Sequence, residues 1–152
     1  MAMRMDKMKL IWGDVDKICR QLAKKVKRKF KPDLILAVSR GGLIPGRLLS
    51  EHLNNKNITA LRIAFYKSPG STFKKPKVLE ELKTAVRKKR ILVVDDVTES
   101  GKTLILVKHY LEERGAKEVK FATMFHKMKS KIKPDFYIRI TDKWIVYPWE
   151  KS

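Results

Sequence analysis

Apolar positions along the chain follow two periods. Ile18, Leu22, Val26 and Phe30 recur at four-residue steps, with lysines and arginines between them. That spacing predicts an amphipathic helix over 14–30, stopped by Pro32. Residues 34–38 form a short continuous apolar run, as expected of a strand buried on both faces. Ser39, Arg40, Gly41 and Gly42 read as a turn. Pro45 suits the first helical position of a second helix that ends near Leu53. A second strand is predicted over 58–65. Residues 66–77 carry Ser68, Pro69, Gly70, Ser71, Thr72 and Pro76 and read as a long polar loop. Residues 78–88 fit helix and strand equally. The strongest strand is 91–94, followed by a helix over 101–114 with Gly115 as its left-handed terminator. Further strands are expected at 119–125, 136–140 and 144–146.

Strands alternating with helices predict an open, mainly parallel α/β sheet flanked by helices. Such sheets bind ligands beyond the carboxyl ends of their strands. The turns at 39–42, 95–103 and 126–133 all fall at such ends. With 152 residues and no repeat, the chain reads as one domain spanning 1–152.

Charge sharpens this picture. Lys plus Arg is 36 and Asp plus Glu is 16, so the formal net charge is 36 − 16 = +20. Such a balance favours anionic partners: nucleic acid, anionic lipid or a polyphosphate. Abundant lysine, a single glutamine (Gln21) and asparagine only at 54, 55 and 57 are features met in thermophile proteins. A single cysteine, Cys19, excludes an internal disulfide and any multi-cysteine metal cluster. The histidines at 52, 109 and 126 are too scattered for a His-rich zinc site. No apolar stretch is long enough to span a membrane. The basic start, 1–9, is not followed by a signal-type apolar segment, because Trp12, Gly13 and Asp14 interrupt it. A cytoplasmic location is expected.

Residues 91–103 carry the candidate chemistry. A buried strand runs into Asp95 and Asp96, and a loop of Thr98, Glu99, Ser100, Gly101, Lys102 and Thr103 opens a helix. Backbone N–H groups at a helix start favour phosphate, and Gly101 permits close approach. The two carboxylates would repel that anion. They suit another part of the same ligand, such as sugar hydroxyls or a magnesium ion reached through water. A Walker loop is excluded, because Asp96 stands where its first glycine is required. Read alone, an Asp-Asp pair is often a solvated strand end, and a Gly/Ser/Thr loop an ordinary capped turn. Their spacing after a buried strand favours a ligand site.

The segment Val94-Asp95-Asp96-Val97-Thr98-Glu99-Ser100-Gly101-Lys102-Thr103 resembles the phosphoribosyl-pyrophosphate motif of type I phosphoribosyltransferases. Residues 37–46 are similar to the pyrophosphate loop of the xanthine-guanine branch of that family. Phe125-His126-Lys127 resembles its purine-lysine segment, and residues 144–150 its purine hood. The four segments occur in the family's order. The resemblance implies a type I phosphoribosyltransferase fold in which 126–152 contribute a small C-terminal hood. It implies a magnesium-dependent purine enzyme that moves the 5-phosphoribosyl group from phosphoribosyl pyrophosphate onto guanine, xanthine or hypoxanthine. It also implies a homo-oligomer, dimer or tetramer.

Residue roles follow from the same resemblance. Asp95 and Asp96 would hold the ribose hydroxyls and, through them or water, the metal. Thr98, Glu99, Ser100, Gly101, Lys102 and Thr103 would surround the 5′-phosphate. Ser39, Arg40 and Gly41 would hold pyrophosphate, on a loop that in this family often contains a non-proline cis peptide. Lys127 would donate to the purine 6-oxo group, Trp144 would stack on the base, and the Ile145 backbone would meet its edge. Glu99 stands where relatives carry an aspartate near purine N7, and is one methylene longer. The 66–77 loop would close over the site.

Two readings of other kinds stay open. One is a non-catalytic nucleotide sensor or RNA-binding protein on the same fold, which +20 would suit. Nucleic acid would require a continuous basic patch and aromatic platforms, whereas the lysines at 24, 25, 27, 29 and 31 read as the solvated face of a helix. The other is an adenine-specific enzyme, which Lys127, a donor without acceptor capacity, disfavours.

Overall fold

The computed structural model describes residues 5–67, 69–70 and 74–151. In chain order the elements are β1 (Lys7–Lys9), α1 (Trp12–Lys29), β2 (Leu34–Ser39), α2 (Leu43–His52), β3 (Ile58–Lys67), β4 (Lys74–Val78), β5 (Arg90–Thr98), α3 (Lys102–Glu113), β6 (Glu118–His126), β7 (Arg139–Ile140) and β8 (Trp144–Val146). Six strands form one sheet in the order β4-β3-β2-β5-β6-β7, parallel except for the β3–β4 pair. The order places β2 and β5 at its centre, and both carry a buried apolar run, 34–38 in β2 and 91–94 in β5.

Alternation along those strands divides the core between two faces. Leu34, Leu36, Val38, Ile91 and Val93 pack with Leu104, Val107 and Leu111 of α3. The intervening Ile35, Leu92 and Val94 pack with Leu22, Ala23 and Val26 of α1 and Leu49 of α2. Helix α1 begins where the Asp14 carboxylate accepts the Ile11 backbone N–H at 2.9 Å. A carboxylate there complements the amino end of the helix, and Lys27, Arg28 and Lys29 complement the other end.

Three expectations are corrected. The long polar loop at 66–77 is largely a hairpin: β3 continues to Lys67 and pairs antiparallel with β4, Phe65 facing Pro76 and Tyr66 facing Lys75. From Phe65 onward β3, like most of β4, has exposed side chains, so no buried face marks the hairpin in the sequence. Pro76 is tolerated because β4 is an edge strand. Ser68, Ser71 and Thr72 of that reading lie outside the described residues. Residues 79–88 form neither helix nor strand. They are held instead by side chains, the Leu82 N–H donating to the Tyr110 hydroxyl at 2.7 Å. The strand expected over 136–140 shortens to β7, with Phe136 making an isolated bridge to Ala122.

The sequence reading did not include β1. It pairs parallel with β8, Met8 opposite Ile145, in a separate two-stranded sheet. Three residues with exposed lysines at both ends carry no periodic signal. Leu10, Ile145 and Tyr147 seat this small sheet against α1 and the end of β6 through Val15, Ile18, Met124 and Phe125. Among the described residues, no helix is long and apolar enough to cross a membrane.

Candidate active site

Strands β2, β5 and β6 end side by side, and three concavities open there. The first, of about 510 Å³, follows the loop from Asp95 to Thr103 and is walled by Phe65, Lys74 and Lys129. The second, of about 780 Å³, lies over Ser39, Arg40 and Gly41 and reaches Asp95, Asp96, Trp149 and Glu150. The third, of about 160 Å³, is lined by Asp96, Val97, Glu99, Lys127, Trp144, Ile145, Tyr147 and Glu150. Asp96 borders all three. Every site residue expected from the sequence lines at least one of them.

Strand β5 builds the centre. Its apolar half is fixed in the sheet, so its last residues are carried to the carboxyl end of the central strands with Asp95 and Asp96 half-buried. The Asp95 Oδ1 accepts the Asp96 N–H at 2.8 Å, and the Asp96 Oδ1 accepts the Val97 N–H at 2.8 Å. Burial, and then the neighbouring Asp96 charge, push the Asp95 carboxyl well above the usual carboxylate range. Burial raises Asp96 as well, against hydrogen bonds that pull the other way. Two adjacent acids recessed in this way call for a cation or hydroxyl donors.

The loop after β5 is shaped by Gly101, whose φ is +83°. A Cβ there would stand 2.9 Å from the Ile132 Cβ. Gly70 has φ +80° with nothing within 4 Å of such a Cβ. Gly101→Ala is therefore expected to destabilise by more than the roughly 1–2 kcal/mol of a left-handed alanine, and by more than Gly70→Ala. Equal shifts in melting temperature for the two variants would mean that Ile132 simply gives way. Thr98 differs from its neighbours in being buried, its hydroxyl donating to Thr123 at 3.3 Å. Ser100 accepts the Lys102 N–H, and the Lys102 ammonium donates to the Lys74 carbonyl at 3.3 Å, tying the loop to the hairpin.

The turn after β2 contains a cis peptide between Ser39 and Arg40, as the family resemblance implies. Gly41 packs directly on the central acid: a Cβ there would fall 2.6 Å from the Asp96 Oδ1. A Cβ on Gly42 would meet the Val94 carbonyl at 2.2 Å. These two glycines let the turn lie flat against the end of β5, with Arg40 exposed beside it.

At the third concavity Lys127 is buried, 5% exposed, and its ammonium donates to the Lys143 carbonyl. The Lys127 N–H donates to the Thr98 carbonyl at 2.9 Å, locking the end of β6 to β5. Trp144 is half exposed on β8, and Ile145 beside it is buried. Tyr147 stacks on Trp149 with centroids 4.6 Å apart.

Some lining residues had been given no role from the sequence. Phe65 and Lys74 arrive with the β3–β4 hairpin, which had no buried pattern to reveal it. Lys129 is, in the sequence, one of the alternating lysines at 127, 129, 131 and 133, a pattern equally suited to a basic surface face. Tyr147 stands two residues after Ile145, so strand alternation marks it, whereas Glu150 lies beyond β8 and no periodic signal reaches it.

Comparison with known proteins agrees with this geometry. A curated relative, the xanthine-guanine phosphoribosyltransferase of Gluconobacter oxydans, is 29% identical over 144 residues, covering 93% of this chain and 83% of its own length. The hypoxanthine-guanine phosphoribosyltransferase of Saccharomyces cerevisiae is 26% identical, covering 97% of this chain and 87% of its own. The crystal structure of a purine phosphoribosyltransferase from Pyrococcus horikoshii superposes with a TM-score of 0.88 at 39% identity, covering 97% of both chains. The phosphoribosyl transferase domain model matches residues 11–152, a span that contains every residue lining the three concavities, and the chain belongs to that family.

Proposed function

We propose that this chain is a purine-salvage phosphoribosyltransferase. It transfers the 5-phosphoribosyl group from phosphoribosyl pyrophosphate to a 6-oxopurine, giving the nucleoside 5′-monophosphate and pyrophosphate. One observation carries the reading: Asp96 stands where a phosphate loop, an anion turn and a base-sized pocket meet. A ligand with a 5′-phosphate, a ribose and a pyrophosphate needs that three-way junction, with the base arriving from the third arm. A phosphoribosyl-pyrophosphate sensor would not need the pocket formed by Lys127, Trp144 and Ile145.

The residues divide the chemistry between them. The loop from Thr98 to Thr103 holds the 5′-phosphate with backbone N–H groups and hydroxyls. Asp95 and Asp96 orient the ribose diol and place negative charge beside an anomeric carbon that becomes oxocarbenium-like. Ser39, Arg40 and Gly41 hold the departing pyrophosphate. Trp144 stacks on the purine, the Ile145 backbone meets its edge, and Lys127 donates to the 6-oxo oxygen. Glu99 lines both the phosphate and the base concavities. It accepts the N7 proton as N9 bonds to the anomeric carbon. Phe65, shared by the phosphate and pyrophosphate concavities, excludes water that would hydrolyse the donor.

Magnesium fits this donor set only in company with substrate. Among the described residues, no three acids, histidines or cysteines converge to hold a metal alone. Asp95, raised by burial and by the Asp96 charge, and Asp96, raised by burial, match an ion held mainly by phosphate and ribose oxygens. Such an ion supplies charge neutralisation on the leaving pyrophosphate. The enzyme is further proposed to be cytoplasmic and homo-oligomeric.

Steady-state rates with guanine, xanthine, hypoxanthine and adenine, each with phosphoribosyl pyrophosphate and magnesium, test the assignment. Turnover of 6-oxopurines with adenine poorly used is expected. No turnover with any base, or a preference for adenine, would overturn it. Arg40→Ala is expected to weaken pyrophosphate binding by at least about tenfold, because a guanidinium grips phosphate oxygens in a fork that no neighbouring side chain of the turn offers. The reverse, pyrophosphate-consuming direction should suffer more than the forward one. Unchanged pyrophosphate affinity by titration calorimetry would contradict this role.

A further inference from the structure

A concavity of about 930 Å³, larger than any of the three at the site just described, lies at the opposite end of the sheet from them. The end of α1 and the segments that lead into β2, β3 and β5 form it. Lys27, Lys31, Lys56, Lys88 and Lys89 line it, against one acid, Asp33. That acid is engaged locally, its Oδ2 accepting the Arg90 N–H at 2.8 Å. The walls are fixed by further bonds: Asn55 donates to the Pro32 carbonyl at 2.9 Å, and the Lys88 N–H donates to the Gly115 carbonyl at 2.8 Å.

Some cations of the surface are neutralised by a neighbouring carboxylate, and many are not. Arg20, Arg47, Arg62, Lys108 and Lys120 each have a carboxylate within ion-pair distance. Among the described residues, none of the five groove lysines has one. Five like charges around one hollow raise a positive potential that its low-dielectric walls focus. Through Asn54, Asn55 and Lys56 the hollow continues into a second one of about 310 Å³, with the Arg47–Glu51 ion pair on its rim. The shape is a trough, which suits an extended ligand.

From the five unpaired lysines and the trough they line, we propose a second anion site that binds linear polyphosphate. Lysine ammonium groups bind phosphate as point charges and need no fixed geometry along a chain. A nucleic-acid strand is the weaker match, because single-strand sites combine charge with aromatic platforms for the bases. The one aromatic residue lining the trough, Phe30, is 7% exposed. The sequence did not show this site: Lys27 and Lys31 read there as a helix face, and folding sets them beside Lys56, Lys88 and Lys89.

The test is binding in magnesium-free buffer near physiological salt, by titration calorimetry. The probes are tripolyphosphate, a long-chain inorganic polyphosphate, a single-stranded oligonucleotide of matched charge, and polyglutamate. The long polyphosphate is expected to bind at least about tenfold more tightly than each of the others. The triple variant K27E/K31E/K88E should lose at least about tenfold in that affinity while keeping the melting temperature and the transferase rate. K24E/K83E/K117E, with the same net charge, and Arg40→Ala should bind as wild type does. Equal loss in the control triple would reduce the effect to net charge, and loss in Arg40→Ala would move the ligand to the pyrophosphate turn. Tighter binding of the oligonucleotide or polyglutamate, or no binding of polyphosphate, would also overturn the proposal. If the triple variant does not fold, Lys31→Gln and Lys88→Gln take its place, and wild-type affinity in both would reject the site. The transferase assignment stands or falls separately, on the four-base rate comparison.

Discussion

Asp95→Asn is expected to lower kcat/KM for phosphoribosyl pyrophosphate by about a hundredfold, the scale of losing one preorganised electrostatic group, while raising the melting temperature of the ligand-free protein. Both effects come from the same placement. Burial and the Asp96 charge raise the Asp95 pKa in the folded state. The unfolded carboxyl ionises near its ordinary value of 3.8. Between that value and the raised folded one, the folded state holds more protons than the unfolded state. Stability therefore falls as pH rises through this window and stays reduced above it. Asparagine keeps the Oδ1 that accepts the Asp96 N–H and removes the charge. Its stabilisation should be absent at acid pH, appear as pH rises through the window, and persist at neutral pH. The activity of the wild type should rise with pH over a limb shifted above the usual carboxylate range, because the proposed ribose and metal binding would use the ionised pair. Thermal melts and kcat/KM at several pH values check both. A neutral-pH melting temperature below that of the wild type would make Asp95 a structural residue.

That trade explains why the centre of the site was legible in the sequence. An apolar strand ending in two acids has no reason to keep them beside each other for stability, so their presence at 95 and 96 points to a ligand. The same holds for the glycines at 41, 42 and 101, where a side chain would strike Asp96, Val94 or Ile132. The sheet was legible for a related reason. Ile91 to Val94 and Leu34 to Val38 are buried on both faces, and such runs are rare outside central parallel strands.

What was not legible depends on contacts between distant segments with weak local signals. The hairpin reads as a loop because its side chains are mostly exposed on both faces, although backbone pairing from Ile63–Val78 to Lys67–Lys74 holds it. Strand β1 exists because Met8 meets Ile145 across more than a hundred residues. The basic trough gathers lysines from three segments, each of which reads locally as ordinary solvated surface. Lys129 belongs to the same group: in sequence it is one of four alternating lysines from 127 to 133, but in the fold it walls the phosphate concavity.

Those alternating lysines supply the sharpest test of the purine assignment. Lys127→Ala is expected to reduce turnover of 6-oxopurines by at least about tenfold, or on the order of 1.4 kcal/mol, with little change in affinity for phosphoribosyl pyrophosphate. A buried polar group left without its partner costs about 1–3 kcal/mol. Lys127 is 5% exposed at the base pocket. Its ammonium already donates to the Lys143 carbonyl, but it has three protons and no acceptor. The remaining donors suit a 6-oxo oxygen and oppose the amino group of adenine. The same contact joins Lys127 to the residue before Trp144, so truncation could also loosen the strand that carries the stacking ring. Lys127→Met separates the two effects, because it keeps the packing of the stem and deletes the donor. It should lose 6-oxopurine turnover as alanine does while melting closer to the wild type. Lys129→Ala should instead raise the KM for phosphoribosyl pyrophosphate, and Lys131→Ala, exposed outside all three site concavities, should match the wild type. Full 6-oxopurine activity in Lys127→Met would remove the lysine from base recognition and leave the site at Asp95 and Asp96 to be explained by another acceptor.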